Sequence, residues 1–351
     1  MLNGNQFQHS NGLKISIDWL SFTLTEPCSS DTAISMLGYN LGDFQLLPRG
    51  LNGYRSQLRH SVYPVSIQFD GQDGMGVHVD ISGVAVHDVL DHYKRKHSGS
   101  TPFGCNAYET CSFDATVMSD LLSDIRSNGH VTRLDLAIDD LGAEFFTLPE
   151  LSGILSSDSF VSKFRKWKEL IKRQNGNVCI GHTIYLGSRS SAIMLRVYDK
   201  QLEQNEKLLK SGEPPILQSW VRWELELKEE RAQQASDLLV SGLCLNDVAF
   251  GILSNYLRLI RHDNARKDRC STLPKWDLFI DGIKRLALYC PAESKTLDDT
   301  RNWLMKQTAS SLAAVVIADG GTTDFVYRLL DSGTQRLTSH HRDMIQQAMG
   351  D

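Results

Sequence analysis

Alternating apolar and polar positions divide the first two-thirds of the chain into short segments typical of half-buried β-strands. The clearest are residues 131–139 and 220–228, where leucine, isoleucine or tryptophan recurs at every second position. Similar alternation between turn-forming residues predicts further strands at residues 14–24, 65–69, 76–81, 183–186 and 192–200. The last two flank a short turn, so we expect them to form a β-hairpin.

Helical periodicity marks most of the remaining chain. It predicts helices at residues 84–95, 114–127, 148–173, 202–210, 229–239, 247–259, 275–288 and 298–318. The pattern indicates a sheet-rich part, residues 13–228, and a helical C-terminal part, residues 229–351, although these helices could instead pack directly on the sheet. Because several strands come in hairpins, we expect an α+β fold with a largely antiparallel central sheet and packed helices.

Composition and motifs exclude several classes of protein. The 351 residues carry a formal net charge of −5, so a surface for nucleic acid must come from local clusters of cations. Seven cysteines without zinc-type spacing indicate free thiols in a reducing compartment, and no apolar run reaches the ~20 residues of a membrane helix. We therefore expect a soluble cytoplasmic protein with no membrane partner. The lack of a Walker A motif excludes a P-loop ATPase.

Candidate chemistry lies on the polar faces of three strands, because alternate residues of a strand point to the same side. These faces hold four carboxylates, five cations and one tyrosine: Arg133, Asp135, Asp139, Arg196, Tyr198, Lys200, Arg222, Glu224, Glu226 and Lys228. Carboxylate oxygens suit Mg²⁺ or Mn²⁺, and such an ion would assist attack by Tyr198 on a phosphodiester. The alternative is an ordinary solvent-facing surface with charge pairs across the strands.

The sequence leaves open the roles of His78 and Asp18, two residues in the first quarter of the chain. His78 shares a strand face with Asp80 and is either a metal ligand or a structural histidine. Asp18 is either a surface charge or a group that supports the site.

Basic clusters are the sequence signal for DNA. Six cations lie between residues 163 and 173, interleaved with two aromatic residues, and five more lie between 258 and 269. Such clusters bind phosphates, but they also occur as solvated faces of helices. The DNA-binding residues that we predict are Lys166, Lys168, Arg133, Arg189 and Arg222.

The chain resembles the replication-initiation-factor family (Rep_trans), which includes initiators of small rolling-circle plasmids, of some conjugative transposons and of filamentous phages. Within the family it resembles the filamentous-phage branch, and the sequence does not separate a phage, plasmid or transposon source. The stretches that carry the resemblance are I-D-W-L-S-F-T (17–23), V-T-R-L-D-L-A-I-D-D (131–140), T-I-Y-L-G-S-R-S-S (183–191), R-V-Y-D-K (196–200), W-V-R-W-E-L-E-L-K (220–228) and R-N-W-L (301–304).

The resemblance implies roles for individual residues. Tyr198 falls on the family's nucleophile and Arg196 on the arginine next to it, with Asp199 where many relatives have glutamate. The family's catalytic metal sits on acidic residues of the sheet. The matching positions are Asp135 and Glu224, followed by Glu226, Asp139 and His78.

The implied activity is initiation of rolling-circle DNA replication by origin-specific, metal-dependent nicking. Tyr198 would attack a phosphate of single-stranded or hairpin origin DNA, forming a 5′-phosphotyrosine and freeing a 3′-OH for a host polymerase. A host helicase would unwind the DNA. A second attacking group would come from the partner in a homodimer or from Tyr185, which is otherwise a half-buried strand tyrosine.

Three alternatives stay open from the sequence. A conjugative or transposition relaxase would use the same chemistry. A DNA-binding regulator would use the same sheet without catalysis, and an unrelated α+β enzyme would only mimic the site. Covalent attachment of DNA separates the strand-transfer functions from the last two.

Overall fold

The structure is a computed structural model that describes residues 13–25, 27–98, 115–280, 288, 297–337, 341–342 and 345–346. Its strands are β1 (Lys14–Leu24), β2 (Phe44–Leu47), β3 (Ser56–His60), β4 (Val65–Phe69), β5 (Val77–Ser82), β6 (Gly129–Leu141), β7 (Phe160–Ser162), β8 (Trp167–Gln174), β9 (Val178–Leu186), β10 (Ile193–Asp199), β11 (Trp220–Lys228) and β12 (Leu257–Leu259). Its α-helices are α1 (Ser30–Met36), α2 (Ala85–Ser98), α3 (Ala115–Asn128), α4 (Leu148–Ser156), α5 (Lys200–Ser211), α6 (Glu230–Val240), α7 (Leu245–Tyr256), α8 (Pro274–Ile280), α9 (Leu297–Gln307), α10 (Ala309–Ala318) and α11 (Asp324–Thr334).

Ten strands form one sheet in the order β2-β3-β4-β5-β1-β6-β11-β10-β9-β8, and each neighbouring pair is antiparallel. β7 and β12 form a separate antiparallel pair. Helices α2, α3, α6 and α7 pack against the middle of the large sheet, and α4 packs against β9 and β10. The predicted α+β fold with a largely antiparallel sheet and a helix-rich C-terminal part is confirmed.

The hydrophobic core lies on one face of the sheet. Leu134, Leu136 and Ile138 of β6 are fully buried there, as is Trp223 of β11. The Trp223 ring packs on Phe279 of α8 with ring centroids 5.0 Å apart. The apolar sides of the alternating strands are thus covered by helices, which leaves their polar sides together on the other face.

The predicted helix at residues 148–173 is wrong beyond its first third. The helix ends at Ser156, and Asp158, in the left-handed region with φ of 58°, turns the chain towards β7. β8 follows and pairs with β9. Closely spaced lysines and arginines fit the polar side of a helix as well as an exposed strand, so periodicity could not separate the two. The first basic cluster therefore lies on and beside a strand.

Other predicted elements differ at their ends. The pair β2–β3 was not predicted, the helix expected at 247–259 ends in β12, and the one expected at 298–318 is divided into α9 and α10. Lys200 is the first residue of α5 rather than the last of β10, because the Asp199 side chain accepts a hydrogen bond from the Leu202 N–H (2.8 Å) and caps the helix. Residue 114 and residues 281–287, also predicted to be helical, lie outside the described residues.

Contacts between Cα atoms divide the chain into two compact units, Met1–Tyr289 and Cys290–Asp351. Within the first unit, α6 and α7 pack on the sheet, so this division does not coincide with the one expected between residues 228 and 229. Among the cysteines in the described part of the chain, Cys179, Cys244 and Cys270 are free thiols. None of the helices described there is long and apolar enough to cross a membrane.

Candidate active site

The three polar strand faces meet because β6, β11 and β10 are neighbours in the sheet. Their register places Asp135 opposite Glu226 and Asp139 opposite Arg222. On the other side of β11, Arg222 is opposite Tyr198. The side chains that the sequence singled out on these strands therefore form one continuous patch.

The patch is buried rather than solvent-facing. Tyr198 is 5% exposed, Glu224 3% and Asp135 1%, and Asp139, Lys200 and Arg222 are also buried. A buried charge is costly unless an opposite charge and hydrogen bonds compensate it. An ordinary exposed strand surface does not account for this patch, and each of its charges must be explained by a specific partner.

The Tyr198 hydroxyl lies between the carboxylate of Glu224 and the ammonium group of Lys200. Its hydroxyl donates a hydrogen bond to Glu224 Oε2 (3.2 Å) and accepts one from Lys200 Nζ (3.3 Å). The guanidinium of Arg196 lies over the phenol ring, 4.3 Å from its centroid. Burial and the negative charge of Glu224 raise the pKa of Tyr198, while Arg222 and Arg196 lower it. The phenol is therefore neutral at pH 7, and a nucleophilic role would require a proton acceptor.

Two further side chains adjust the charge around Tyr198. Burial and the nearby Arg222 lower the pKa of Lys200, whose ammonium also binds Glu203 of α5. Arg196 Nη2 donates to Glu224 Oε2 at 2.6 Å, whereas Arg196 Nε has no hydrogen-bond partner in the part of the chain that the structure describes. A buried guanidinium donor without a partner is suited to an oxyanion such as phosphate.

The carboxylates at the other end of the patch share one arginine. Arg133 binds Asp135 through two hydrogen bonds and reaches Glu226 Oε2 at 3.1 Å. Burial, together with the charges of Glu224 and Glu226, raises the pKa of Asp135 to about 7 despite the opposing effect of Arg133.

Arg222 is likewise bound by two carboxylates. It binds Asp139 through Nε and Nη2 at 2.6 and 2.8 Å, and its Nη1 binds Asp18 at 2.5 Å. Trp220 Nε1 also donates to Asp139 (2.6 Å). Asp18, left open by the sequence, is thus part of the network. Arg222 and Arg133, both predicted to bind DNA, have their guanidinium groups engaged by carboxylates here.

His78 lies apart from this group. β1 separates its strand, β5, from β6. Its Nδ1 is 2.9 Å from Thr23 Oγ1 and its Nε2 is 3.6 Å from Asp80 Oδ2. Although burial would raise the pKa of Asp80, hydrogen bonds from His78, Ser21 and Trp19 lower it to about 2. The histidine and its neighbours form a separate hydrogen-bonded network, which meets the patch where Trp19 stacks on Arg133.

The metal prediction fits the donor chemistry but not the observed geometry. Asp135, Glu224 and Glu226 supply the carboxylate oxygens that Mg²⁺ and Mn²⁺ prefer. However, no group of three acidic, histidine or cysteine side chains converges to hold a metal anywhere in the described ranges. The reason is that Arg133 lies between Asp135 and Glu226, and Arg196 engages Glu224. A metal would have to displace a guanidinium group.

The remaining cations predicted to bind DNA are exposed. Lys168 is on β8, with its Nζ 4.9 Å from the ring centroid of Tyr185, and Lys166 precedes the same strand. Arg189 lies in the turn between β9 and β10. In the second basic cluster, Arg258 is structural, because it donates hydrogen bonds to three backbone carbonyls of the loop after β12.

Sequence reasoning missed Glu203, which binds both Lys200 and Lys207. The available signal was spacing, because residues three or four apart on a helix are neighbours. Trp19 was also missed. Its ring stacks against the Arg133 guanidinium at 4.1 Å, and no pattern within β1 sets it apart from a core residue.

The fold and the site define an α+β protein whose buried tyrosine is placed between a carboxylate and an ammonium group. Residues 129–330 match the family model described as "Replication initiation factor", and the chain belongs to that family. "Putative DNA relaxase NicK" of Bacillus subtilis (strain 168) is 34% identical over 232 residues, 65% of this chain. The chain spans 64% of the length of that relative. The structure of the rolling circle replication initiator protein from Geobacillus stearothermophilus matches with a TM-score of 0.62 and 25% identity, over 80% of this chain and all of that one.

Proposed function

We propose that this chain nicks origin DNA and transfers the cut strand to Tyr198, initiating rolling-circle replication. The observation that carries the proposal is the Tyr198 hydroxyl, hydrogen-bonded at once to Glu224 and Lys200 within a buried patch of a replication-initiation-factor fold. The structural likeness to a rolling-circle initiator supports the same use.

The proposed reaction is a transesterification. Tyr198 Oη attacks phosphorus and forms a 5′-phosphotyrosine as the P–O3′ bond breaks, and the leaving 3′ oxygen takes a proton from solvent to become a 3′-OH. The phenol proton passes to Glu224, the nearest carboxylate, and the Lys200 ammonium stabilises the developing negative charge on Oη. Arg196 would bind the scissile phosphate through its unpaired Nε. Because one phosphoester replaces another, the reverse attack by a 3′-OH can rejoin the strand.

The proposal includes Mg²⁺ or Mn²⁺ as the cofactor. Its support is the mutual repulsion of Asp135, Glu224 and Glu226, which together with burial raises the pKa of Asp135 to about 7 and which a divalent cation would relieve. Such an ion would supply polarisation of the phosphate. Asp139, bound by Arg222, and His78, in its separate network, receive no support as ligands from their positions.

The proposed DNA surface begins with the exposed cations Lys166, Lys168 and Arg189. Arg133 and Arg222 would contribute only after exchanging a carboxylate for a phosphate. We further propose that the substrate is single-stranded or extruded hairpin DNA, that a host helicase and polymerase follow the nick, and that the protein acts in the bacterial cytoplasm. A homodimer or Tyr185, which lies opposite Arg196 on β9, would supply the second attack. Residues 13–228 hold all the catalytic residues of this proposal.

A conjugative relaxase is the second candidate function. The observation in its favour is the 34% identity to a protein named as a DNA relaxase. The chemistry at Tyr198 would be the same, and only the fate of the nicked strand differs.

The test is covalent attachment. Wild-type protein is incubated with supercoiled DNA that carries its gene and flanking sequence, with Mg²⁺ or Mn²⁺, and analysed on a denaturing gel. We expect a protein–DNA adduct that Tyr198→Phe abolishes without loss of DNA binding. Tyr185→Phe is the matched control, because it removes the same hydroxyl from the same sheet face, and it should still form the adduct.

Two results would contradict the proposal. An adduct at the wild-type level in Tyr198→Phe would exclude this nucleophile. No adduct on DNA that the wild-type protein binds, with either metal, would favour a regulator without catalysis.

A further inference from the structure

β8 and β9 continue past the end of the large sheet as a two-stranded arm, defined here as residues 171–182. β9 pairs with β10 only from Thr183 to Leu186, and Thr183 lies opposite Tyr198. Beyond that point β9 pairs only with β8. The arm therefore starts level with Tyr198 and extends away from it.

Most of the arm is exposed, although Cys179, Gly181 and His182 are half-buried and α5 lies near β9. Every residue from 168 to 178 is exposed, and so are the apolar side chains Ile171, Val178 and Ile180. An isolated two-stranded ribbon is at best marginally stable in water, because it has no hydrophobic layer to bury. A ribbon of this kind with apolar side chains in solvent indicates a surface for a partner.

A register shift lies within the arm, whose two cations occupy opposite faces. Lys172 lies opposite Gly181, but the next residue, Arg173, lies opposite Cys179. The extra residue, Ile180, is in β9, so β8 keeps its alternation, which places Arg173 on the far face and Lys172 on the face of Thr183. Lys168, opposite Tyr185, is also on the face of Thr183. Lys172 and Lys168 thus lead along one face of the arm towards the candidate active site, and Arg173 lies on the opposite face.

Charge identifies the kind of partner. Residues 165–182 contain five lysines and arginines and a single carboxylate, Glu169, in a chain with net charge −5. Glu169 is already engaged, because its Oε1 is 2.6 Å from His182 Nε2. Glu206 of α5 interacts electrostatically with Lys172 but is itself bound by Lys210 at 2.9 Å. Local cation excess in an acidic protein fits a polyanion.

We propose that the arm binds duplex DNA next to the strand that Tyr198 attacks, with the ribbon in the major groove and with Lys172 and Arg173 on backbone phosphates. A two-stranded ribbon fits the major groove, whose walls contact both of its faces. Single-strand platforms use aromatic side chains for base stacking, and the arm contains no Phe, Tyr or Trp. This inference rests on the proposed function, since it assigns a duplex site to the same nicking protein.

The alternative to DNA binding is that the exposed edge of β8 pairs with β8 of a second copy of this chain. Two such edges would bring lysines together, and lysines on an edge strand oppose that pairing. Self-association is therefore the alternative that the experiment must distinguish.

The test measures DNA binding by the full chain with Lys172→Ala and Arg173→Ala combined. Fluorescence anisotropy is recorded against salt concentration with a short mixed-sequence duplex and with single-stranded poly(dT) of equal length. Removing one cation from a backbone phosphate should lower the slope of log K against log[salt] by about 1, so the duplex slope should fall by about 2. The poly(dT) slope should change less.

The matched control is Arg95→Ala with Lys96→Ala. These residues are also an adjacent, exposed arginine and lysine, but they lie on α2, which packs on the apolar side of the sheet. This variant should keep the wild-type duplex slope.

An unchanged duplex slope in the arm variant would overturn the inference. An equal fall with poly(dT) would make the arm a single-strand surface instead of a duplex one. A change in sedimentation mass with intact duplex binding would show that the arm joins two copies. Adduct formation by the wild-type protein is scored separately, so a duplex-binding arm in a protein that forms no adduct would reject the proposed function and keep this inference.

Discussion

Arg133 and Asp135 form a two-point ion pair in the middle of the sheet, with Nε–Oδ1 and Nη2–Oδ2 distances of 2.9 and 2.7 Å. The carboxylate is buried, and the same guanidinium also reaches Glu226 on the next strand and stacks on Trp19. One cation thus compensates two acidic groups that would otherwise repel each other. Any change that removes this cation or one of the negative charges should alter the stability of the sheet.

The pKa of Asp135 makes stability depend on pH. Its folded pKa, about 7, lies above the ordinary 3.8, so between these values the folded protein binds more protons than the unfolded chain. The contribution of Asp135 to the free energy of unfolding is therefore fully present below pH 4. It decreases by at most about 4 kcal/mol as the pH rises towards 7. Asp135→Asn should flatten this dependence in urea unfolding measured from pH 4 to 7.5. Equal pH dependence in the two proteins would mean that Asp135 ionises normally.

Divalent metal should compete with Arg133 for the carboxylates. We expect millimolar Mg²⁺ to release the guanidinium from Asp135 and thereby change the fluorescence of Trp19, the indole beneath it. Asp135→Asn should lose the response, and Trp19→Phe should show whether the signal comes from this tryptophan. A wild-type protein whose emission is unaffected by Mg²⁺ would leave the carboxylates as partners of arginine alone.

Glu224 is expected to accept the proton of Tyr198. Glu224→Gln keeps the size of the side chain but cannot take up the proton, so the rate of adduct formation should fall by about 10²–10⁴. DNA affinity should stay near that of the wild-type protein. Glu150→Gln makes the same chemical change at an exposed ion pair with Lys275 and serves as the control. An adduct rate in Glu224→Gln close to that of the control would show that another group takes the proton.

The Arg222–Asp139 pair should be structural. In Asp139→Ala the buried guanidinium of Arg222 keeps Asp18 as its one ion-pair partner among the described residues. The free energy of unfolding should therefore fall by about 3–5 kcal/mol. Glu150→Ala, which breaks an exposed pair, should cost no more than about 1 kcal/mol. Urea unfolding of both variants provides the comparison. Similar small decreases in the two would mean that solvent reaches Arg222.

The centre of the fold was predictable because each central strand has two chemically different faces. In β6 and β11 the period of two is unbroken, and both were found within a few residues of their observed ends. β8 lacks a buried side, so its sequence carries no such period and was taken for a helix. The edge strand β2 and its neighbour β3 were also missed, because strands of four and five residues show little periodicity.

Much of the candidate site was also predictable, because the face on which a strand residue lies follows from its position alone. The ion pairs were not, since they depend on register between distant segments. Nothing near Asp18 indicates that it lies 2.5 Å from Arg222, which is more than two hundred residues away. The same long-range pairing placed Arg133 between two predicted metal ligands.

The position of Tyr198 within β10 has a mechanical consequence. β10 is hydrogen-bonded along both edges, to β9 and to β11, and the chain continues from Asp199 directly into a capped helix. The hydrogen bonds of an antiparallel ladder lie across the strands, so a force along β10 is shared among several bonds at once. DNA bonded to Tyr198 would therefore pull against a firm anchor. When a motor unwinds the duplex, the tension would displace the nucleic acid while the tyrosine stays in place.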